Sequence, residues 1–457
     1  MMTESQRTAL AEYAAVKGQC PARERLAALF DDGVYTETGS NLRAGENLAG
    51  VVTAYGYIGG TPAYAFSQDS TVMKGAVSLA HSAKICKMFE LAARNGVPVV
   101  GIYDSCGAFV EDGADALNAY SDILLSMGSL SGVVPMVSVI SGVCAGTMAM
   151  IASSADFSVI TEGAELYLDA SGNNASAESA AKSGAVSAYA KSDAEAMDTV
   201  RRYLSLMPQN NLSPLPEFEF DAPVSAAFDN AENAAESIAD AGSILEVYGE
   251  YGTASYTALC TVSGVTAGIA ATNKTKDKLT SADCSKIARF VRLCDAYSIP
   301  VITVADTEGF DLHGADMVRV GAALAGAYAE ASCAKIALVS GKACGMAYIA
   351  FAGRNVAADA VYALPEAVIA PMDPVSAAEF LYHDKLKGAD DLAAARAQVA
   401  KEYAENEGSA FAAAAKGAAD EVVTAENVRA AVASVLDVTA GKRLNKRLPK
   451  KHNILPL

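Results

Sequence analysis

Apolar and polar positions change period several times along the first half of the chain. GTPAYAFSQD, Gly60 to Asp69, alternates as a strand does. SLAHSAKICKMFELAARNG, Ser78 to Gly96, switches to the helical period: Ile85, Met88, Phe89 and Ala92 share one face, and Gly96 supplies the stop. VPVVGIYD and VVPMVSVISG, starting at Val97 and Val133, are short, apolar and β-rich, like strands buried on both faces. AGTMAMIASSAD, from Ala145, reads as a small-residue helix after a turn. The order strand, helix, strand, helix, strand, turn, helix predicts an α/β domain, a sheet layered with helices.

The pattern is then repeated. SAKICKMFELAARNGVPVVGIYDSCGAF begins at Ser82, and CSKIARFVRLCDAYSIPVITVADTEGF begins at Cys284. Lys84 pairs with Lys286, Ile85 with Ile287, Pro98 with Pro300, Asp104 with Asp306 and Gly107 with Gly309, every pair 202 residues apart. Farther on, SGVCAGTMAM from Ser141 matches SGKACGMAYI from Ser340 at an offset of 199, a three-residue loop difference. Two matching blocks in one order predict a duplicated domain. The join is expected in the Pro-rich MPQNNLSPLPEFEFDAP, residues 207–223, with domains at 1–220 and 221–457.

Composition narrows the function. The formal charge of −18 argues against nucleic-acid binding. The basic stretch GKRLNKRLPKKH near the C-terminus stands out against it, as a solvated terminus, a partner contact or an anion contact. The nine cysteines have no CxxC or metal spacing, so reduced thiols and no bound metal are expected. The N-terminus lacks the order of a signal peptide and no apolar run reaches 18 residues, which predicts a cytoplasmic protein. GxGxxG after a strand, GxxxxGK[ST] and GxSxG are all missing, and His81, His313, His383 and His452 form no cluster.

What remains is the repeated turn. A strand running into Gly and small residues before a helix leaves backbone N–H groups pointing outward. Glycine also lets a ligand approach the backbone closely. This is the equipment of an oxyanion hole. The donors are expected at Gly146 and Thr147 in the first copy, and at Gly345, Met346 and Ala347 in the second. Tight strand–helix packing is the competing explanation for either turn alone.

Long stretches of the chain resemble the biotin-dependent acyl-CoA carboxyltransferases, such as the β subunits of propionyl-CoA carboxylases and the carboxyltransferase subunits of methylmalonyl-CoA and glutaconyl-CoA decarboxylases. ARERLAALFDDGVYTE, SQDSTVMKGAVSLAHSAKICKMFELA, DSCGAFVEDGADAL, ARFVRLCDAYSIPVITVADTEGF and LPKKHNILPL carry the resemblance, from about Lys17 to Leu457. It implies tandem crotonase-like domains. Acyl-CoA would sit on the N-terminal one, near Cys106, Gly107, Ala108, Phe109 and Ala145. Biotin on a separate carrier protein would reach the C-terminal domain of a neighbouring protomer in a hexamer-type ring. It also implies partnership with a biotin carboxylase or a membrane decarboxylase subunit, the latter placing the chain at the periphery of a membrane complex.

The sequence departs from the family pattern at informative places. Thr147 and Met346 stand where the family has a second glycine in each turn. Phe109 replaces an arginine, and ADTEGFDLHGADMVRVGA is a shortened loop. Three readings follow: an active carboxyltransferase with altered pockets, a catalytically degenerate structural subunit, or another crotonase-type CoA reaction.

Overall fold

The computed structural model describes residues 2–169, 171, 175–223, 225–272, 278–311, 313, 316–354 and 356–442. The basic C-terminal stretch lies largely outside the described residues. The chain divides into two compact units between Pro214 and Leu215, six residues before the expected boundary. The reason is visible just after the join. Phe218 N–H donates to Gly264 O at 2.8 Å and Glu217 bridges Val265, so these residues already line the second sheet.

In the first unit the sheet runs from edge to edge through Tyr35–Thr38, Val51–Ile58, Thr61–Gln68, Val99–Ser105, Met136–Ala145, Phe157–Thr161 and Ala188–Ala190. The first three strands are antiparallel, and pairing is parallel from Thr61–Gln68 onward. The second unit repeats this order with Leu245–Glu246, Ser255–Val262, Val265–Thr272, Val301–Ala305, Lys335–Val339, Ala360–Ala363 and Glu421–Val422. Its parallel pairing likewise begins at the third strand. The apolar strands Val99–Ser105, Val301–Ala305 and Lys335–Val339 are buried along their whole length, as helices on both faces require.

The first repeated helix is Leu79–Asn95. Ser78 caps it by accepting the His81 N–H, and Gly96 ends it in the left-handed region at φ 61°. Ile85, Met88, Phe89 and Ala92 are buried on its inner face, as the spacing predicts. Its counterpart, Ser281–Ala296, starts with a capping box between Thr280 and Asp283. Here the residue that turns left-handed is Ser298, at φ 57°, where the first copy has Gly96.

The strand read from VVPMVSVISG, which ends at Gly142, runs on to Ala145, so Val143–Ala145 belong to the Met136–Ala145 strand and the turn is confined to Gly146. A register shift between Tyr103 and Ser105 brings Ser105 opposite Cys144, and Val143–Ala145 takes up Glu165–Tyr167 as a further parallel partner. In the second unit the same path is broken into Lys335–Val339 and Lys342–Cys344, and the latter pairs with Val368–Ala370.

Candidate active site

Each unit presents its repeated turn at the C-terminal ends of the parallel strands. In the first, Gly146 has φ 65° and ψ −139°, a region open almost only to glycine. Its N–H donates to Tyr167 O at 2.9 Å, and its carbonyl accepts the Ala149 N–H at 3.0 Å. The helix Thr147–Ser153 follows, and the N–H groups of Thr147 and Met148 have no partner among the described residues. Gly146 was expected as a donor; its N–H is already engaged, and its contribution is the bend that frees the next two.

The second turn has the same construction. Gly345, φ 56° and ψ −123°, donates its N–H to Ala370 O at 2.9 Å. Met346 and Ala347, opening the helix Met346–Phe351, carry the N–H groups without a partner among the described residues. Gly345 therefore also shapes the turn without donating into it. Met346 is 45% exposed and Thr147 is exposed, while Met148 and Ala347 are buried, so each pair has one member at the surface and one beneath it.

The other glycine of the phrase has a different purpose. A Cβ on Gly142 would stand 2.3 Å from Asp104 Oδ1, and one on Gly341 would stand 2.3 Å from Asp306 Oδ1. Both aspartates hold the turn in place. Asp104 Oδ2 accepts from Arg25 Nη1 at 2.9 Å and Ser70 Oγ at 2.8 Å, while Arg25 Nη2 reaches Ser141 O at 3.1 Å. Asp306 Oδ1 accepts the Lys342 N–H at 2.9 Å. Competing packing thus accounts for Gly142 and Gly341, but not for Gly146 and Gly345.

A second loop flanks each turn. Gly107 has φ 117°, and a Cβ on it would be 4.0 Å from Ala145 O, so residues 105–109 lie beside the first turn. Val77 N–H donates to Gly107 O, Val77 O accepts the Phe109 N–H, and Cys106 N–H donates to Lys74 O. The Ala108 N–H is left without a partner among the described residues. Leu279 holds Gly309 and Asp311 in the same way, leaving the Phe310 N–H as the counterpart. Phe310 was not singled out from sequence, although the 202-residue offset points to it. Cys106 is exposed, whereas Cys20, Cys86 and Cys344 are half-buried and the other five cysteines are buried.

The second turn has an ion cluster of its own, built on Lys342. Lys342 Nζ contacts Glu308 Oε2 at 2.6 Å and also Asp373, which caps the helix Pro374–Leu381. Burial works against the ammonium, but hydrogen bonds to Asp373 and Glu308 outweigh it and hold its pKa above the usual lysine range. The equivalent of Lys342 in the first unit is Val143. Sequence reasoning missed this cluster and Arg25, because both join segments far apart in the chain.

Cys144, Cys344 and Lys342, beside the turns, are each held in a protonated form. Burial raises the Cys144 and Cys344 thiols, and Lys342 stays charged. His81 is fully buried inside the first unit. Burial, helped by the Lys84 charge, pushes it down to about 3, with the Ala76 carbonyl opposing. No group of metal-binding side chains occurs among the described residues.

Two copies of an α/β unit, each offering an outward pair of backbone donors, form the duplicated crotonase-like architecture. The carboxyl transferase domain model matches residues 14–455, and the chain belongs to that family, the biotin-dependent acyl-CoA carboxyltransferases. It is 33% identical to methylmalonyl-CoA decarboxylase subunit alpha of Propionigenium modestum, across 96% of this chain and 94% of that one. It is also 33% identical to the methylmalonyl-CoA carboxyltransferase 12S subunit of Propionibacterium freudenreichii subsp. shermanii, across 96% and 92%. Among solved structures it resembles transcarboxylase 12S, a hexamer with hydrolyzed methylmalonyl-coenzyme A bound, at a TM-score of 0.90 and 31% identity over the whole of both chains.

Proposed function

We propose that this chain moves a carboxyl group between biotin on a separate carrier protein and a methylmalonyl-type acyl-CoA, using one backbone donor set for each reacting oxygen. The observation that carries this reading is the pair of equivalent turns, each with two N–H groups that have no partner among the described residues. The methylmalonyl-CoA relatives support the substrate class.

In this mechanism Thr147 and Met148, with Ala108 from the flanking loop, hold the thioester oxygen as negative charge develops on it. Met346 and Ala347, with Phe310, do the same for the ureido oxygen. Biotin, when present, supplies the carboxyl group and the base for the α proton. The N–H donors need no reorganisation during the reaction, and the loss of one such donor costs roughly 10²–10³ in rate. Gly146 and Gly345 keep the donors aimed outward. Arg25–Asp104 on one side and Lys342–Asp306 on the other keep the turns from shifting.

The exposed apolar side chains Leu117, Leu124 and Leu125 on the helix Asp115–Leu130 support burial against another copy, in a ring like that of transcarboxylase 12S. No described helix is long and apolar enough to cross a membrane. Contact with a membrane decarboxylase subunit would therefore be peripheral.

The test is to offer the assembled oligomer malonyl-, methylmalonyl- and glutaconyl-CoA, with and without free biotin, and follow loss of the carboxylate. Biotin-dependent loss, fastest with methylmalonyl-CoA, is the expected result. No loss from any of the three would favour the structural-subunit reading.

A further inference from the structure

Met346 occupies a position where its backbone matters to the second turn but its side chain has to go somewhere. The structure places the thioether end of that side chain against Gly321, in the middle of the helix Met317–Glu330. A Cβ on Gly321 would stand 3.3 Å from Met346 Cε and 3.7 Å from Met346 Sδ. Among the described residues no other atom comes within 4 Å of that position, beyond the helix's own backbone and chain neighbours.

Gly321 is an odd choice for this helix. The sequence around it, MVRVGAALAGAYAE, is rich in alanine, and glycine weakens a helix interior relative to alanine. Gly321 is buried, its φ is not in the left-handed region, and no turn requires it. The feature that distinguishes it is the methionine methyl lying where a side chain would begin.

We infer that Gly321 is a positioning residue: it provides a notch that seats the Met346 side chain and so keeps the side chain away from the Met346 and Ala347 N–H groups. The inference rests on the reading of that turn as the donor set for biotin. A methionine has three rotatable bonds and fills whatever space is open to it. When the notch is closed, the side chain leaves it and competes with the ligand for the turn. The notch and the methionine thus act as a pair, which makes Met346 tolerable at a turn built from small residues.

The test is a double-mutant cycle read in carboxyl transfer with free biotin. Gly321→Val closes the notch, and Gly321→Ala, which displaces the methyl by only a few tenths of an ångström, controls for folding. In the Met346 background, Gly321→Val is expected to raise KM for biotin about tenfold with kcat changed less, and Gly321→Ala about twofold. In a Met346→Gly background the same Gly321→Val substitution is expected to change KM by less than twofold. An equal effect in both backgrounds would overturn the inference, because the notch would then contact the ligand or support the helix by itself.

A second readout does not depend on turnover. The methyl resonance of Met346, assigned by its loss in Met346→Gly, should shift in Gly321→Val and move slightly in Gly321→Ala. An unmoved resonance in Gly321→Val would overturn the notch. A shifted resonance in a protein without biotin-dependent turnover would sustain the notch and instead defeat the proposed function.

Discussion

Four glycines in the repeated phrase look alike in the sequence and differ in physical cause. Gly142 and Gly341 are glycine because an aspartate carboxylate occupies the place of a Cβ. Gly146 and Gly345 are glycine because their φ and ψ exclude side chains, and there is open space around Gly146. The two classes should fail differently. Gly142→Ala and Gly341→Ala are expected to destabilise by about 1–3 kcal/mol, as overpacking does, and a denaturant midpoint will show it. Gly146→Ala should cost about 1–3 kcal/mol of backbone strain and, in addition, misaim the Thr147 and Met148 donors. Its turnover is expected to fall roughly 10²-fold in protein still folded by circular dichroism.

At the scale of elements, the two copies solve one problem in two ways. Gly96 ends the first repeated helix at no steric cost, whereas Ser298 ends the second in the left-handed region. A non-glycine residue there costs roughly 1 kcal/mol. Ser298→Gly is therefore expected to raise the stability of the second unit by about that amount, measured by urea unfolding. The Lys342 cluster is the other asymmetry. It ties the short loop after Val301–Ala305 to the cap of Pro374–Leu381, across the second turn. Lys342→Met should destabilise more than Glu308→Gln, because it leaves Asp373 without its cation beside Glu308. Equal effects in a thermal melt would argue that the cluster is only a surface pair.

At the scale of the whole molecule, duplication has copied a cost along with the fold. Lys84 and Lys286 are both buried on the repeated helices and both pushed down to about 8 by desolvation. Their ammonium groups donate to strand-end carbonyls, Lys84 to Val51 O and Lys286 to Ser255 O at 2.9 Å. Between about pH 8 and the ordinary lysine value of 10.5, the unfolded chain holds protons that the native chain has released. Stability from these two groups therefore rises with pH across that window and is fully present above it. His81, native pKa about 3 against 6.5, works in the same direction at lower pH: its contribution is complete above 6.5 and is lost as pH falls toward 3. Thermal melts of Lys84→Met/Lys286→Met between pH 8 and 10 should lack the wild-type gain. His81→Gln should lose less stability than wild type between pH 6.5 and 4.

The duplication, the α/β class, the repeated helix face and the family could all be read from the sequence. Each depends on local periodicity or on long ordered motifs, and both survive in one dimension. The turn residues were legible as a region, but not in their roles. Which N–H is free depends on where Tyr167 and Ala370 place their carbonyls, and those residues arrive from separate strands. For the same reason the Arg25 clamp, the Lys342 cluster and the Gly321 notch were hidden: each joins positions distant in the chain. Sequence alone determined what kind of unit is repeated. Tertiary packing decided which backbone donors remain free at each turn, because satisfying one hydrogen bond is what leaves its neighbour open.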